Sequence, residues 1–207
     1  NPGAPPPQGM DPVDKFGRLH SAIHGEAIGN LSRILKTVDE MLCDRGFATV
    51  RRDPDPLAAI AGSRPVVRAS GKSDEVVVYI HNEERIGVKW SRMVLETRER
   101  DDIQIIAISQ QGPTPFTKRE CEGKPIQFLS ARAMCVNVTQ HMLVPKHERV
   151  EDLPDNVLPQ SLPYIYESDP VVQYHAWPVN TLVRITRHFG GNEPIPYFRR
   201  VVADAKT

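Results

Sequence analysis

Residues 76–108 read VVVYIHNEERIGVKWSRMVLETRERDDIQIIAI, and this stretch decides the fold. Val76 to Ile80 and Ile103 to Ile108 are runs rich in β-branched residues, and between them KWSRMVLETRER at 89–100 is polar with a helix-like spacing. Strand-like runs separated by helical patterns argue for an α/β sheet covered on both faces. Working outward, the apolar positions Leu31, Ile34, Leu35, Val38, Met41 and Leu42 follow the i, i+3, i+4, i+7 stripe of an amphipathic helix. Asn30 is the expected N-cap, and Gly46 the residue that takes the left-handed position after its end. Residues 51–74 carry three prolines and scattered charges and read as a poorly structured excursion. Downstream come a proline-broken loop, a mixed segment around CEGKPIQFLSARA and a further short run, MCVNV at 134–138.

The stretch 151–163, EDLPDNVLPQSLP, has three prolines and no periodicity and reads as a connector. Beyond it DPVVQY, TLVRITRHF and PYFRRVV are short segments between turn residues. They predict a small α+β unit dominated by strands. No internal repeat is visible.

The composition narrows the function classes. Acidic and basic residues balance at 26 each over 207 residues, so no global field draws the chain to nucleic acid or anionic lipid, and any such contact is local. The apolar runs fall far short of the ~20 residues of a membrane span, and the reading is a soluble protein. The opening NPGAPPPQGMDP has neither a basic nor an apolar region of a secretory signal, and its proline density favours a disordered or extended tail. Cys43, Cys121 and Cys135 are odd in number and offer no pairing framework. They read as small buried hydrophobes in a reducing compartment such as cytosol or nucleus.

The catalytic motifs fail one after another. A metal-dependent nuclease on a small α/β domain places an aspartate before one strand and an acid two residues ahead of a lysine on the next. Asp74 and Lys89 fit, but position 87 is glycine, which leaves the oxygen cage one ligand short. Zinc lacks a paired cysteine motif, and His20 and His24, although spaced i, i+4, have no third ligand nearby. The serine-elbow pattern is absent, and Gly190–Gly191 is a lone turn rather than a phosphate loop. His141 and His147, in HMLVPKH, stand roughly 20 Å apart if the segment is extended, whereas a shared metal needs both within ~2.1 Å. Only a tight reversal at Pro145 pairs them. The plainer expectation is a strand end running into a proline-fixed link, with Leu143 and Val144 packing inward.

Five motifs then come in one order: LSRILKTVDEMLCDRGF at 31–47, IGVK at 86–89, QQGPTPFTK at 110–118, NVTQHMLVPKH at 137–147 and LPYIYESDPVVQYHAWPVNTLVRI at 162–185. Together they resemble the fifth common subunit of eukaryotic nuclear DNA-directed RNA polymerases, and the later part resembles the H-type subunit of archaeal RNA polymerases. The resemblance implies a tail at 1–25, an α/β jaw domain at 26–138 beside downstream duplex DNA, and an assembly domain at 139–207 that anchors to the largest subunit. It also implies a nuclear, non-catalytic chain without cofactor, whose partners are other polymerase subunits and, weakly and without sequence preference, DNA. An adaptor using the same domain outside the polymerase and a nuclease-like enzyme are the alternative readings.

The resemblance assigns roles to particular residues. In QQGPTPFTKRE, Gly112, Pro113 and Pro115 would hold a rigid turn, while Thr114, Thr117, Lys118 and Arg119 offer hydroxyl and cationic donors near DNA. His141, Pro145 and His147 mark the entry to the assembly domain as hydrogen-bonding, partner-facing residues. Asp169, or Ser168, caps a turn or helix ahead of Pro170, with Val171, Val172 and Tyr174 turned to core or partner. Arg199 matches a family arginine expected to pair with an acid inside the fold or on a partner. Ala176, Pro178 and Asn180 depart from the family's glycine, basic and glycine residues. Glu193, Pro194 and Ile195 depart again near the last hairpin. Such departures suit a diverged copy dedicated to one polymerase class.

Overall fold

The computed structural model describes residues 27–155, 157–187 and 194–204. The expected tail, His20, His24, Gly190–Gly191 and Glu193 lie outside these residues.

The first helix, α1, runs Ala27–Asp44. Its stripe is the core seam: Ile34, Leu35, Val38, Met41 and Leu42 are all buried. Gly46 ends it with φ +92°, a backbone that glycine adopts without strain. The start falls earlier than the expected cap at Asn30, which sits inside the helix. An apolar stripe marks the buried face of a helix and leaves its first turn unmarked.

The N-terminal sheet has the order β1-β2-β3-β4-β5. Strands β3 (Glu75–Ile80), β4 (Gln104–Ser109) and β5 (Ile126–Ser130) run parallel. Helix α3 (Val88–Glu96) makes the crossover from β3 to β4, as the pattern of 76–108 required. Alternate side chains of β3 explain why its sequence is apolar throughout. Val76 and Val78 face α1 together with Ile106 and Ile108, whereas Val77 and Tyr79 face Val94 of α3 together with Ile103 and Ile105.

The excursion at 51–74 is instead ordered. It holds β1 (Thr49–Arg52), a short helix α2 (Pro56–Ala61) and β2 (Val67–Ser70), with β2 antiparallel to both β1 and β3. Asp55 caps α2 by accepting from Ala58 N at 3.0 Å, Pro56 takes the first helical position, and Ala59 and Ile60 are buried. The prolines that suggested disorder start elements here. MCVNV gives no strand either: 3₁₀ turns form at Ala133–Cys135 and Val138–Gln140, with Asn137 accepting from Thr139 N at 2.9 Å. Helix α4 (Pro115–Glu120) connects β4 to β5.

The C-terminal sheet has the order β6-β8-β9-β7, from Lys146–Val150, Leu182–Arg187, Ile195–Val202 and Tyr164–Tyr166 respectively. DPVVQY is a helix, α5 (Pro170–His175), which closes the inner face. There Ile165, Val183, Ile185 and Val201 pack with Val172, and Trp177 lies against them. The last hairpin pairs β8 with β9, Pro196 opposite Thr186. β7 reaches only Arg200 to Val202, so Pro196 lies where one flank of β9 is open and its missing N–H costs no ladder bond. The connector at 151–163 holds one 3₁₀ turn, Pro159–Ser161, and no strand among the described residues.

The cysteines are free. Cys121 is buried and Cys135 half-buried, but Cys43 is exposed because it falls between the apolar positions of α1. No described helix is long and apolar enough to cross a membrane.

Candidate functional site

The loop before α4 is built around Ile86. Ile86 N donates to Gly112 O at 3.0 Å and Thr114 N donates to Ile86 O at 3.1 Å, which ties the loop after β4 to the loop after β3. Gly112 takes φ +75° in that turn. Thr114 caps α4 by accepting from Thr117 N at 3.2 Å. Thr117, expected to offer its hydroxyl outward, is fully buried and donates to Ile86 O at 3.0 Å. A donor committed inside the protein cannot reach a phosphate, so Thr117 shapes the loop and leaves the donor set. Lys118 and Arg119 remain exposed in the last turn, beside an exposed Phe116.

At HMLVPKH the chain reverses earlier than Pro145. Val144 N donates to His141 O at 2.8 Å, and Leu143 N donates to His141 Nδ1 at 3.3 Å. The extended path expected for this segment is therefore replaced by a turn. Met142 and Leu143 are 93% and 80% exposed, which corrects the expectation that Leu143 packs inward. Two apolar side chains at the tip of a turn have no protein surface of their own to cover them. Pro145 and His147 are half-buried, and the His147 ring nitrogen Nδ1 lies 2.7 Å from Pro145 O. Among the described residues no cluster of three metal-ligating side chains forms.

Helix α5 starts as its sequence dictates, with Asp169 accepting from Val171 N at 2.8 Å and Pro170 in the first turn. Tyr174, expected to face core or partner, belongs to the core. It is 3% exposed and packs with the N-terminal core, its hydroxyl donating to Asp44 Oδ2 at 2.7 Å and accepting from Asn137 Nδ2 at 3.0 Å. Burial, with the Asp44 carboxylate next, pushes its phenol pKa well up. Arg45 completes the seam. Its Nε donates to Tyr174 O at 2.7 Å, and Nη2 donates to Gln173 O at 2.8 Å and to Gln127 Oε1 at 2.9 Å. Gln127 Nε2 donates to Gln173 O at 2.8 Å as well. Burial lowers the Arg45 pKa to about 10, so the guanidinium stays charged at neutral pH and caps the carbonyl end of α5. The sequence does not single out Arg45, Asp44, Gln127 and Asn137, because what defines them is contact across long chain separations.

Within the fold Arg199 bonds a carbonyl rather than an acid: its Nη1 donates to Tyr164 O at 2.7 Å. On the outer face of the C-terminal sheet the register places Tyr164 beside Arg200 and Arg200 beside Leu182, and Phe198 beside Arg184. The Arg200 guanidinium sits 5.5 Å from the centre of the Tyr164 ring. Tyr164 and Tyr166 are each 52% exposed. Helix α5 covers the other face; on this one Tyr164 and Tyr166 stand exposed, with Phe198 and Arg200 half-buried beside them.

A mixed α/β sheet followed by a four-stranded sheet with one helix-covered face defines a two-sheet protein of mixed α/β and strand-rich halves. The family described as RNA polymerase Rpb5, C-terminal domain, matches residues 136–201, which span the second sheet but for its last residue, Val202. Over 187 residues the chain is 30% identical to the DNA-directed RNA polymerases I, II, and III subunit RPABC1 of Caenorhabditis briggsae, covering 76% of this chain and 88% of that protein. The corresponding subunit of Dictyostelium discoideum is 29% identical over 182 residues, covering 78% and 92%. The DNA-directed RNA polymerase subunit Rpo5 of Methanocaldococcus jannaschii is 42% identical over 59 residues, 25% of this chain and 76% of that one. The chain belongs to the RPABC1 family of RNA polymerase subunits, a non-catalytic class with an archaeal Rpo5 counterpart.

Proposed function

We propose that this chain is a structural subunit of a nuclear DNA-directed RNA polymerase, anchored to the largest subunit by its C-terminal sheet, with the N-terminal α/β sheet as a jaw beside downstream DNA. The observation that supports anchoring most is the outer face, where Tyr164 and Tyr166 are exposed beside the half-buried Arg200 and Phe198. Aromatic and arginine side chains on an exposed face are the composition of interface cores. The exposed Met142 and Leu143 turn adds an apolar knob within the same half of the chain. Purification through a tag on the chain is expected to recover the two largest polymerase subunits. Tyr164→Ala with Tyr166→Ala should cut that recovery at least tenfold while leaving the free chain folded; unchanged recovery would remove the anchor from this face.

The jaw reading is supported by α4, where Lys118 and Arg119 project from the last turn of a helix whose start is held by the Ile86 bonds. Two cations without base-reading geometry suit phosphate binding. Removing one cation from a phosphate lowers the slope of log affinity against log salt by about 0.9. In the assembled polymerase, Lys118→Ala with Arg119→Ala is expected to lower the slope by up to about 1.8 and leave subunit recovery intact. An unchanged slope would place DNA elsewhere.

A further inference from the structure

The two sheets have four edges, β1, β5, β6 and β7. Open edges invite pairing, and proteins blunt them with charge, proline, bulges or shortness. β1 carries Arg51 and Arg52, β6 carries Lys146, Glu148 and Arg149, and β7 has 3 residues. β5, with the sequence IQFLS, has none of these devices.

The direction of its backbone groups follows from bonds at its ends. Ile105 N donates to Pro125 O and Ala131 N donates to Ser109 O, both at 2.8 Å, so the odd-numbered residues of this strand face β4. Ile126, Phe128 and Ser130 therefore turn their backbone groups to the open side. Ile126 N–H is bent back onto Lys124 O at 2.8 Å. Phe128 N–H and C=O and Ser130 N–H are left without a backbone partner among the described residues. Phe128 lines a cleft of about 570 Å³ that β5 shares with the C-terminal half, where Val172, Ala176 and Trp177 line it too, and Ser130 continues the open edge beyond it.

We infer that the β5 edge accepts one extended main-chain segment of another polymerase subunit as an added strand, with Phe128 N–H and C=O forming the central hydrogen-bonded pair. This rests on the polymerase reading above. Outward donors and acceptors at strand spacing are complementary to main chain, and pockets beside an open edge take the alternate side chains of an added strand. Val172, Ala176 and Trp177 line the same cleft, so what pairs with this edge has to be thin, and a single extended segment is thinner than the edge of a second folded copy. Side chains of the added strand that point to Phe128 and Trp177 would be apolar.

The test is amide exchange, resolved to single residues, on the free chain and on polymerase purified through it. Phe128 and Ser130 amides are expected to exchange at least tenfold more slowly in the polymerase. Phe128→Pro removes the outward donor without touching the β4 ladder, and Phe128→Ala removes the ring but keeps the donor. Protection at Ser130 should collapse in the proline variant and persist in the alanine variant. Equal protection in both would mean simple burial and overturn the inference, as would concentration-dependent dimers of the free chain that the proline variant abolishes. If Tyr164 and Phe198 gain protection while Phe128 and Ser130 do not, anchoring stands and strand addition falls. If no polymerase is recovered, both fall.

Discussion

Ala176 ends α5 with φ +52° and Asn180 follows at φ +73°, so both sit in left-handed backbone where an L side chain other than asparagine is strained. Ala176→Gly is expected to stabilise the protein by about 1 kcal/mol, and Asn180→Gly to change it by only a few tenths, since asparagine already tolerates the conformation. Urea midpoints of the two variants check this; a larger gain at 180 would mean that strain is distributed otherwise. At the loop before α4 the ordering by sequence alone, four donors of equal standing, gives way to a division of labour. Thr117→Val removes a buried hydroxyl donor from Ile86 O and should cost about 1–2 kcal/mol. Lys118→Ala with Arg119→Ala should stay within about 0.5 kcal/mol, as exposed positions do. Comparable losses in both would contradict the burial of Thr117.

Elements show the same contrast between what is local and what is not. β3 and β4 were legible because strands buried on both faces are apolar throughout, and α1 because its stripe repeats over several turns. β1, α2 and β2 were not, since four-residue strands with Arg51, Arg52 and Arg68 on exposed positions hold too little periodicity to outweigh their prolines. DPVVQY announced its helix through Asp169 and Pro170, yet nothing local says that Tyr174 crosses into the other core. The latch that holds it is Arg45, whose fork reaches acceptors on α5 and β5 at once. Arg45→Ala takes the side-chain donor from Tyr174 O and Gln127 Oε1 in a half-buried seam, while Gln173 O keeps Gln127 Nε2, at about 2–4 kcal/mol. The loss should be local: amides of α5 exchange faster by tenfold or more while those of β3 and β4 keep their protection. Arg45→Lys should rescue little, because a point cation cannot serve acceptors spread over two elements. Uniform loss of protection would show that the seam and the sheet unfold as one unit.

Over the whole molecule the pattern of burial also sets how stability answers to acid. His81, 8% exposed and in ring contact with Trp90 at 4.7 Å, and His175, stacked on Trp177 at 4.5 Å, both have pKa values held below the ordinary histidine range. Burial is the leading cause in each; Glu83 opposes it at His81, and Asp44 opposes it at His175. With the folded pKa depressed, the unfolded chain binds protons first as pH falls through about 6.5. Both histidines therefore contribute full stability above that pH and lose it progressively as pH descends towards their folded values. Glu120 and Glu148, whose pKa values are lowered chiefly by hydrogen bonds from Arg92 and Lys146, act only below the ordinary carboxylate range near 4.5. The interval from about 6.5 to 5 thus belongs to the histidines. Unfolding midpoints in urea should fall between pH 7.5 and pH 5.5 with little change in slope. His175→Asn should flatten part of that fall and His81→Phe another part, the two effects adding because one ring lies in the seam and the other at the end of β3. A midpoint that stays level over this interval in the parent protein would mean that both rings reach water as freely folded as unfolded, and the burial that explains their depressed pKa values would not hold.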